Sequence, residues 1–292
     1  MTDTKKKIVY QGEPGANSHI ASIEVYPDYE HVPCPTFEDA FSAVAAREAD
    51  LAMIPIDNSV AGRVADIHHL LPESNLYIIG EHFVRIHHQL LASEAASLDT
   101  IKTVHSHVHA IGQCRKLIRE LGLKAVIEAD TAGAANLLAE NPNPSESVIA
   151  TRLAGEIYGL KTLRENVEDA DHNTTRFIIL APEPDDAEPE DHPVITSFVF
   201  RVRNLPAALY KAMGGFATNS VNMTKLESYQ LEGEFFATQF YADVEGHPED
   251  RSLHNALEEL AFFSSELTVL GVYKAHPYRR NIREPEAKSN GR

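Results

Sequence analysis

The feature that most limits what this chain can fold into is the stretch Ala181 to Pro193, APEPDDAEPEDHP. Its four prolines fix φ and remove backbone donors, and its six acidic residues leave nothing to bury. Such a segment sustains neither helix nor strand and reads as a linker. It splits the 292 residues into two parts of domain size, so one core is expected on each side. With 43% hydrophobic and 24% charged residues, the chain has enough apolar surface for both.

Behind the linker, Ile195 to Val202 alternates, with Thr196, Phe198, Phe200 and Val202 on one face of a strand. Pro206 then opens a helix carrying Leu209, Met213 and Phe216. There follow an extended Asn222 to Tyr229, a turn at Glu232-Gly233, a strand Phe235 to Val244, a helix near Asp250 to Phe263 and a strand Leu267 to Tyr273. This βαββαβ order predicts a ferredoxin-like domain over 194–276, a four-stranded antiparallel sheet with both helices on one face. The polar residues 277–292 read as a flexible tail.

Residues 1–181 alternate short apolar strands with helical patterns and are read as α/β. Ser106 is placed as the cap of a helix whose stripe is Ile111, Cys114, Leu117, Ile118 and Leu121 and whose stop is Gly122. The pair Asp130-Thr131 opens another helix, running to Leu138.

A net charge of -17 sets a field that repels polyanions, so neither nucleic acid nor an anionic membrane is expected as a partner. An anionic substrate would need a few donors gathered in one cleft. No apolar run approaches the roughly 20 residues of a membrane span. Cys34 and Cys114, the only cysteines, make no disulfide framework and fit a reducing cytoplasm; both read as core or helix-face residues. Neither a P-loop nor a G-x-G-x-x-G is present, and no cofactor is expected. His105, His107 and His109 alternate, but a helix capped at Ser106 would scatter them, so no metal site is expected.

Three segments place small polar residues where a strand hands over to a helix: Gly12 to Ser18, Asn58 to Gly62, and Ser106-His107. Each can bind a carboxylate through helix N–H groups or be only a cap. A fourth, Asn173-Thr174-Thr175-Arg176-Phe177, sits at the mouth of the apolar run Ile178-Ile179-Leu180. Arg176 there can grip a carboxylate bidentately or form a structural salt bridge, and a Thr hydroxyl can donate a hydrogen bond.

In order and spacing these segments resemble the prephenate dehydratase family along nearly the whole chain. The glycine-rich start resembles Gly12 to Ser18, and Pro-Ile-Glu-Asn-Ser resembles Pro55-Ile56-Asp57-Asn58-Ser59, with Asp57 in place of Glu. Ser-His with a downstream Gln-Cys resembles Ser106-His107 and Gln113-Cys114, and Thr-Ala-x-Ala-Ala resembles Thr131 to Ala135. The signature Glu-Asp, Asn and Thr-Arg-Phe resembles Glu168-Asp169, Asn173 and Thr175-Arg176-Phe177.

The resemblance implies a catalytic domain over 1–181, folded like a periplasmic-binding protein with its site between two α/β lobes, then a linker over 182–193 and an ACT regulatory domain. It implies conversion of prephenate to phenylpyruvate in phenylalanine biosynthesis, with Thr175 essential and supporting the leaving hydroxyl. Arg176 would hold a carboxylate or buttress Thr175. Ser18, Asn58, Ser59, Ser106, His107, Thr131, Asn173 and Phe177 would bind substrate. The ACT domain would take phenylalanine between the subunits of a homodimer or homotetramer, through Asn204, Ala207, Ala208, Leu209, Asn222, Glu227 and Ser228. There the sequence departs, with Ala207 for the family's Gly and Tyr229-Gln230 for its Arg-Pro. The same motifs suit arogenate dehydratase, and the fold alone would suit a non-catalytic amino-acid sensor.

Overall fold

The computed structural model describes residues 5–64, 67–203, 205–230 and 237–283. Its first elements are β1 (Lys7–Gln11), α1 (Asn17–Val25), β2 (Glu30–Cys34), α2 (Phe37–Ala45), β3 (Leu51–Asn58), β4 (Gly62–Arg63), α3 (Ile67–Glu73) and β5 (Tyr77–Arg85). Next come β6 (Gln89–Ala92), β7 (Thr103–His107), α4 (Val108–Gln113), α5 (Arg115–Glu120), β8 (Lys124–Glu128), α6 (Thr131–Glu140), β9 (Glu146–Ala150), α7 (Arg152–Tyr158), β10 (Lys161–Arg164) and β11 (Thr174–Ala181). The last are β12 (Val194–Val202), α8 (Ala208–Thr218), β13 (Met223–Gln230), β14 (Ala237–Glu245), α9 (Arg251–Phe263), β15 (Ser264–Lys274) and α10 (Tyr278–Arg283).

The chain forms two compact units, Met1–Val64 with His82–Phe177, and Ala65–Glu81 with Ile178–Arg292. One sheet runs β2-β1-β3-β11-β5 with β4 paired to β3, and a second runs β10-β6-β9-β7-β8. The chain passes from the first sheet to the second at 86–88 and returns at 165–173, which makes the α/β fold two-lobed. Helix α2 forms where the sequence both caps and stripes it. Thr36 and Asp39 close a capping box on α2, which buries Ala40, Phe41 and Val44.

The third sheet, β13-β14-β12-β15, is antiparallel throughout, the ferredoxin-like arrangement expected from the βαββαβ order. Phe198 and Phe200 of β12 pack with Ala212 and Phe216 of α8 and Leu253, Ala256 and Leu260 of α9. The other face of β12 is buried as well. Within the same unit, His68 packs edge-on against Tyr229 and Tyr241, and Gly271 lies so close to Ile78 that a Cβ would fall on its carbonyl oxygen. The segment carrying α3 and the start of β5 therefore covers a face that alternation alone would leave to solvent.

Four expectations need correction. Ser106 is not a cap: it belongs to β7, and His107 caps α4. The single helix ending at Gly122 is two, because the Asp169 carboxylate takes the N–H groups of Arg115 and Lys116 at 3.0 Å each and starts α5 anew after Cys114. Asn58 to Gly62 turns into the β3–β4 hairpin and opens no helix. Residues 278–283 are the helix α10, anchored because the Arg279 guanidinium grips the buried Glu81 carboxylate at 2.6 and 2.8 Å; 284–292 lie outside the described residues, as does the turn at Glu232-Gly233.

The stretch 182–193 has neither helix nor strand, yet it is tied down: Ala187 N–H donates to the Val272 carbonyl, and Lys274 meets Asp191 at 2.9 Å. Among the described residues no helix is long and apolar enough to cross a membrane.

Ala207, the residue before α8, adopts φ 61°, ψ 25°. That left-handed conformation is strained by about 1 kcal/mol for a residue with a Cβ and is relaxed for glycine. Ala207→Gly is expected to stabilise this unit by about 0.5–1 kcal/mol in urea unfolding, since the relief exceeds the added entropy of the unfolded chain; destabilisation would refute the strain.

Candidate functional site

The site is organised by Asn58, at the end of β3. Its Oδ1 accepts the backbone N–H groups of Val60 (2.9 Å) and Ala61 (2.7 Å) in the hairpin that follows. Only an oxygen can accept, so the side-chain nitrogen must face the other way. It donates one hydrogen to Asn173 Oδ1 at 2.8 Å and the other to Thr175 Oγ1 at 2.9 Å. That fixes the next amide: Asn173 turns its Nδ2 to Gln113 Oε1 at 2.8 Å.

Thr175 is thereby held as an acceptor from Asn58, and its own proton is left to donate. Strand alternation puts Asn173, Thr175 and Phe177 on one face of the strand and Thr174 and Arg176 on the other. Arg176, only 6% exposed, faces the partly exposed Asp57 at 3.7 Å, so a buried cation and a half-buried carboxylate brace β3 against β11. Ser59 completes the brace. Its Oγ donates to the His172 carbonyl and accepts the Thr174 N–H, and its own N–H donates to the Thr174 carbonyl.

The expected substrate-binding residues thus fall into separate groups. Asn58, Ser59, Asn173 and Thr175 come together, with Phe177 fully buried below them. His107 is the last residue of β7, and Thr131 follows the end of the neighbouring strand β8; burial and then His109 hold the His107 imidazole below its ordinary pKa, while Asp130 pulls the other way. Ser106 is fully buried and gives its hydroxyl to the Ile149 carbonyl at 2.5 Å, so its side chain is not offered to a ligand.

Ser18 lies in the first turn of α1. The loop before it spends its N–H groups internally, Gly12 on Cys34, Gly15 on the His19 ring and Ala16 on Glu13. Gly15, at φ 92°, sits where a Cβ would overlap the Ala154 backbone, and its carbonyl accepts the Thr151 hydroxyl at 2.5 Å. This glycine is needed for close approach.

His88, the second of the adjacent histidines His87-His88, belongs to none of the motifs read from the sequence. Its Nε2 meets Gln113 Oε1 at 2.8 Å, and its backbone N–H meets Glu168 at 2.9 Å. Burial pushes the Glu168 carboxyl up, but the backbone N–H bonds and the His87 ring outweigh it and hold the group below its ordinary pKa. Burial raises both thiol pKa values, of Cys34 and Cys114. Among the described residues no three His, Cys, Asp or Glu side chains gather as metal ligands.

In the ferredoxin-like unit, Ala207, Ala208 and Leu209 begin α8 beyond the end of β12. Asn222 lies at the other end of the sheet, bonded to Glu245 at 3.0 Å, whose partner in the register is Ile195 at the start of β12. Glu227 meets Lys225 at 3.4 Å, and Ser228 is exposed opposite Phe240. Asn204 lies outside the described residues. One chain does not gather this set into one pocket.

Because the Asp169 carboxylate is the cap of α5, Asp169→Ala is expected to destabilise the first unit by about 1–2 kcal/mol, read from urea midpoints, with Asp169→Asn retaining part of the stability.

Comparison with known proteins agrees with this geometry. A family model described as prephenate dehydratase matches residues 8–185. A bifunctional N-acyl-homoserine lactone acylase/prephenate dehydratase of Komagataeibacter europaeus is 50% identical over 94% of this chain and 97% of its own length. Arogenate dehydratase/prephenate dehydratase 2 of Arabidopsis thaliana, a chloroplastic protein, is 37% identical over 92% of this chain and 73% of its own. A solved prephenate dehydratase from Arthrobacter aurescens in complex with L-Phe superposes with a TM-score of 0.84 at 31% identity, covering 92% of this chain and 90% of that one. With the family model spanning more than half of its length and the Thr175 cluster in place, this chain belongs to the prephenate dehydratase family.

Proposed function

We propose that this protein converts prephenate to phenylpyruvate, carbon dioxide and water, with Thr175 assisting the departing hydroxyl. The bond to the ring carboxylate breaks, its electron pair enters the ring, and the carbon–oxygen bond opposite breaks as the ring becomes aromatic. The oxygen takes up one proton and leaves as water. The protein must therefore orient the ring and supply a donor where negative charge gathers on oxygen. The observation that carries this reading is Asn58 bonded to Thr175 Oγ1 from the acceptor side, which leaves the hydroxyl proton for that oxygen. Thr175 is too weak an acid to give the proton up unaided, so it acts as a hydrogen-bond donor or a relay.

Of the two roles considered for Arg176, the buttress fits its pairing with Asp57. Ser18, His107 and Thr131 are proposed around the substrate's carboxylates, with Ser106 supporting them from within the sheet. The relatives named arogenate dehydratases favour a second reading, the same elimination on the aminated substrate. The Komagataeibacter relative's name adds amide cleavage. Both thiols here have raised pKa values and are poor nucleophiles, so no residue is assigned to that reaction. The two free buried cysteines suit a cytoplasmic compartment.

We propose L-phenylalanine as effector, held between the ferredoxin-like units of two copies. That arrangement would unite Ala207 to Leu209 of one chain with Asn222, Glu227 and Ser228 of the other, in a homodimer or homotetramer.

The direct test offers prephenate, arogenate and an N-acyl-homoserine lactone to the wild-type chain and to Thr175→Ala. Prephenate turnover should fall about 10²–10³-fold in kcat with the variant, the usual loss for a donor aimed at developing charge. Preference for arogenate would move the substrate and keep the chemistry, and cleavage of the N-acyl amide unchanged by Thr175→Ala would place a second activity elsewhere. No turnover of any substrate would overturn the enzymatic reading. For the effector, added L-phenylalanine is expected to change prephenate turnover and raise the melting temperature; an unaltered rate and melting temperature would exclude it.

A further inference from the structure

We propose that His88 is a positioning residue for the dehydration, acting on Thr175 through Gln113, Asn173 and Asn58. The inference rests on the function proposed above and extends it to a residue outside the motifs read from the sequence.

The argument begins with polarity. Val60 and Ala61 set Asn58, Asn58 sets Asn173, and Asn173 donates to Gln113 Oε1. Gln113 lies just before the break between α4 and α5, in the five-stranded lobe, whereas Asn58 and Thr175 belong to the six-stranded sheet. A second donor reaches the same Oε1, His88 Nε2 at 2.8 Å. An amide oxygen has two lone pairs, and here both are filled by donors from either side. Were Gln113 to flip, its amide nitrogen would face the Asn173 amide nitrogen and the His88 N–H together. His88 therefore locks Gln113 in the one orientation that lets Asn173, and through it Asn58, point correctly.

The environment of His88 suits a fixed donor. The residue is 3% exposed, its backbone N–H is tied to Glu168, and its Nδ1 is buried with no hydrogen-bond partner. A core histidine kept for packing alone has no reason to bury an unpartnered nitrogen, which is destabilising by about 1–3 kcal/mol. The unfilled Nδ1 also selects the tautomer with the proton on Nε2, and burial keeps the ring neutral. His88 lies in the crossing from β5 to β6, so it fixes Gln113 relative to the strand joining the two lobes. Loss of this donor should free Gln113 to rotate, weaken its hold on Asn173 at the far end of the row and let Thr175 shift, without removing any group that touches the substrate.

The test compares wild type, His88→Leu, His88→Gln, Gln113→Ala and the double variant His88→Leu/Gln113→Ala, all as full-length protein, by prephenate turnover and thermal unfolding. The expected result for His88→Leu is a fall in kcat of about 10- to 100-fold with KM changed less than about 2-fold, the size of effect that misplacing a reacting group by about an ångström produces. His88→Gln should recover much of kcat, because its amide nitrogen reaches the position of Nε2. The double variant should lose no more than Gln113→Ala alone, since His88 acts only through Gln113.

Wild-type kcat in His88→Leu would overturn the inference, as would losses that multiply in the double variant. So would equal losses in the Leu and Gln variants that track a lowered melting temperature, which would make His88 a core residue. An inactive wild type would strike the proposed function and this inference with it; an active wild type with an unaffected His88→Leu would strike this inference alone.

Discussion

The arrangement around Thr175 depends on two backbone N–H groups, those of Val60 and Ala61, which only an oxygen can accept. A side-chain amide is nearly symmetric in shape and opposite in polarity at its two ends, so one such anchor decides the sense of every amide bonded to it. From the hairpin at 58–62 the direction runs through Asn58 and Asn173 to Gln113, and it leaves Thr175 as an acceptor with a proton to give. The hairpin thus sets the direction of the Thr175 hydroxyl through Asn58.

This explains why the residues gathered around Thr175 could be named from the sequence but their orientation could not. Asn58, Asn173, Thr175 and Gln113 are visible as motif residues, and the mouth of a buried strand is where a polar group stands out. Asn58 is set by Val60 and Ala61 beside it, but the partners that orient Asn173, Thr175 and Gln113 are 25 to 117 positions away in the chain, and no local pattern carries that information. His88 gave only the signal of a doubled histidine. The helix start assigned to Ser106 failed because a serine before a helical stripe resembles a cap whether or not it is one. Here the strand runs one residue further and buries the hydroxyl against Ile149. The stripe from Ile111 to Leu121 was legible, the break within it was not, because its cause is a carboxylate from Asp169, more than fifty residues on.

The ferredoxin-like unit shows the same division. The order of its elements and the face formed by Phe198, Phe200 and Phe216 follow from period and turn signals alone. Burial of the opposite face does not, since it needs 67–81, a segment read with the first half of the chain, to pack beside Tyr229, Tyr241 and Gly271. The departure at Tyr229 then has a physical meaning. An arginine there would bring a guanidinium into a site that is 5% exposed and lined by the rings of His68 and His69, where a tyrosine buries its ring and keeps one hydroxyl bonded to Gln239.

The charge balance of the molecule bears on how such a site works. At -17 the protein's field opposes a dianionic substrate, and Arg176, next to Thr175 in the chain, is turned to the opposite face of the strand and paired with Asp57. The row of hydrogen bonds that leads from Thr175 is neutral: Asn58, which bonds its hydroxyl, then Asn173, Gln113 and the imidazole of His88, whose pKa burial lowers. A cation beside the leaving oxygen would also stabilise the substrate's carboxylates and so bind the ground state as well as the transition state. A neutral donor held in a fixed direction favours charge only where and when it develops. In a fold of this acidity, rigid orientation of uncharged dipoles is the larger lever, and the hydrogen bonds that set Asn58, Asn173 and Gln113 supply that rigidity.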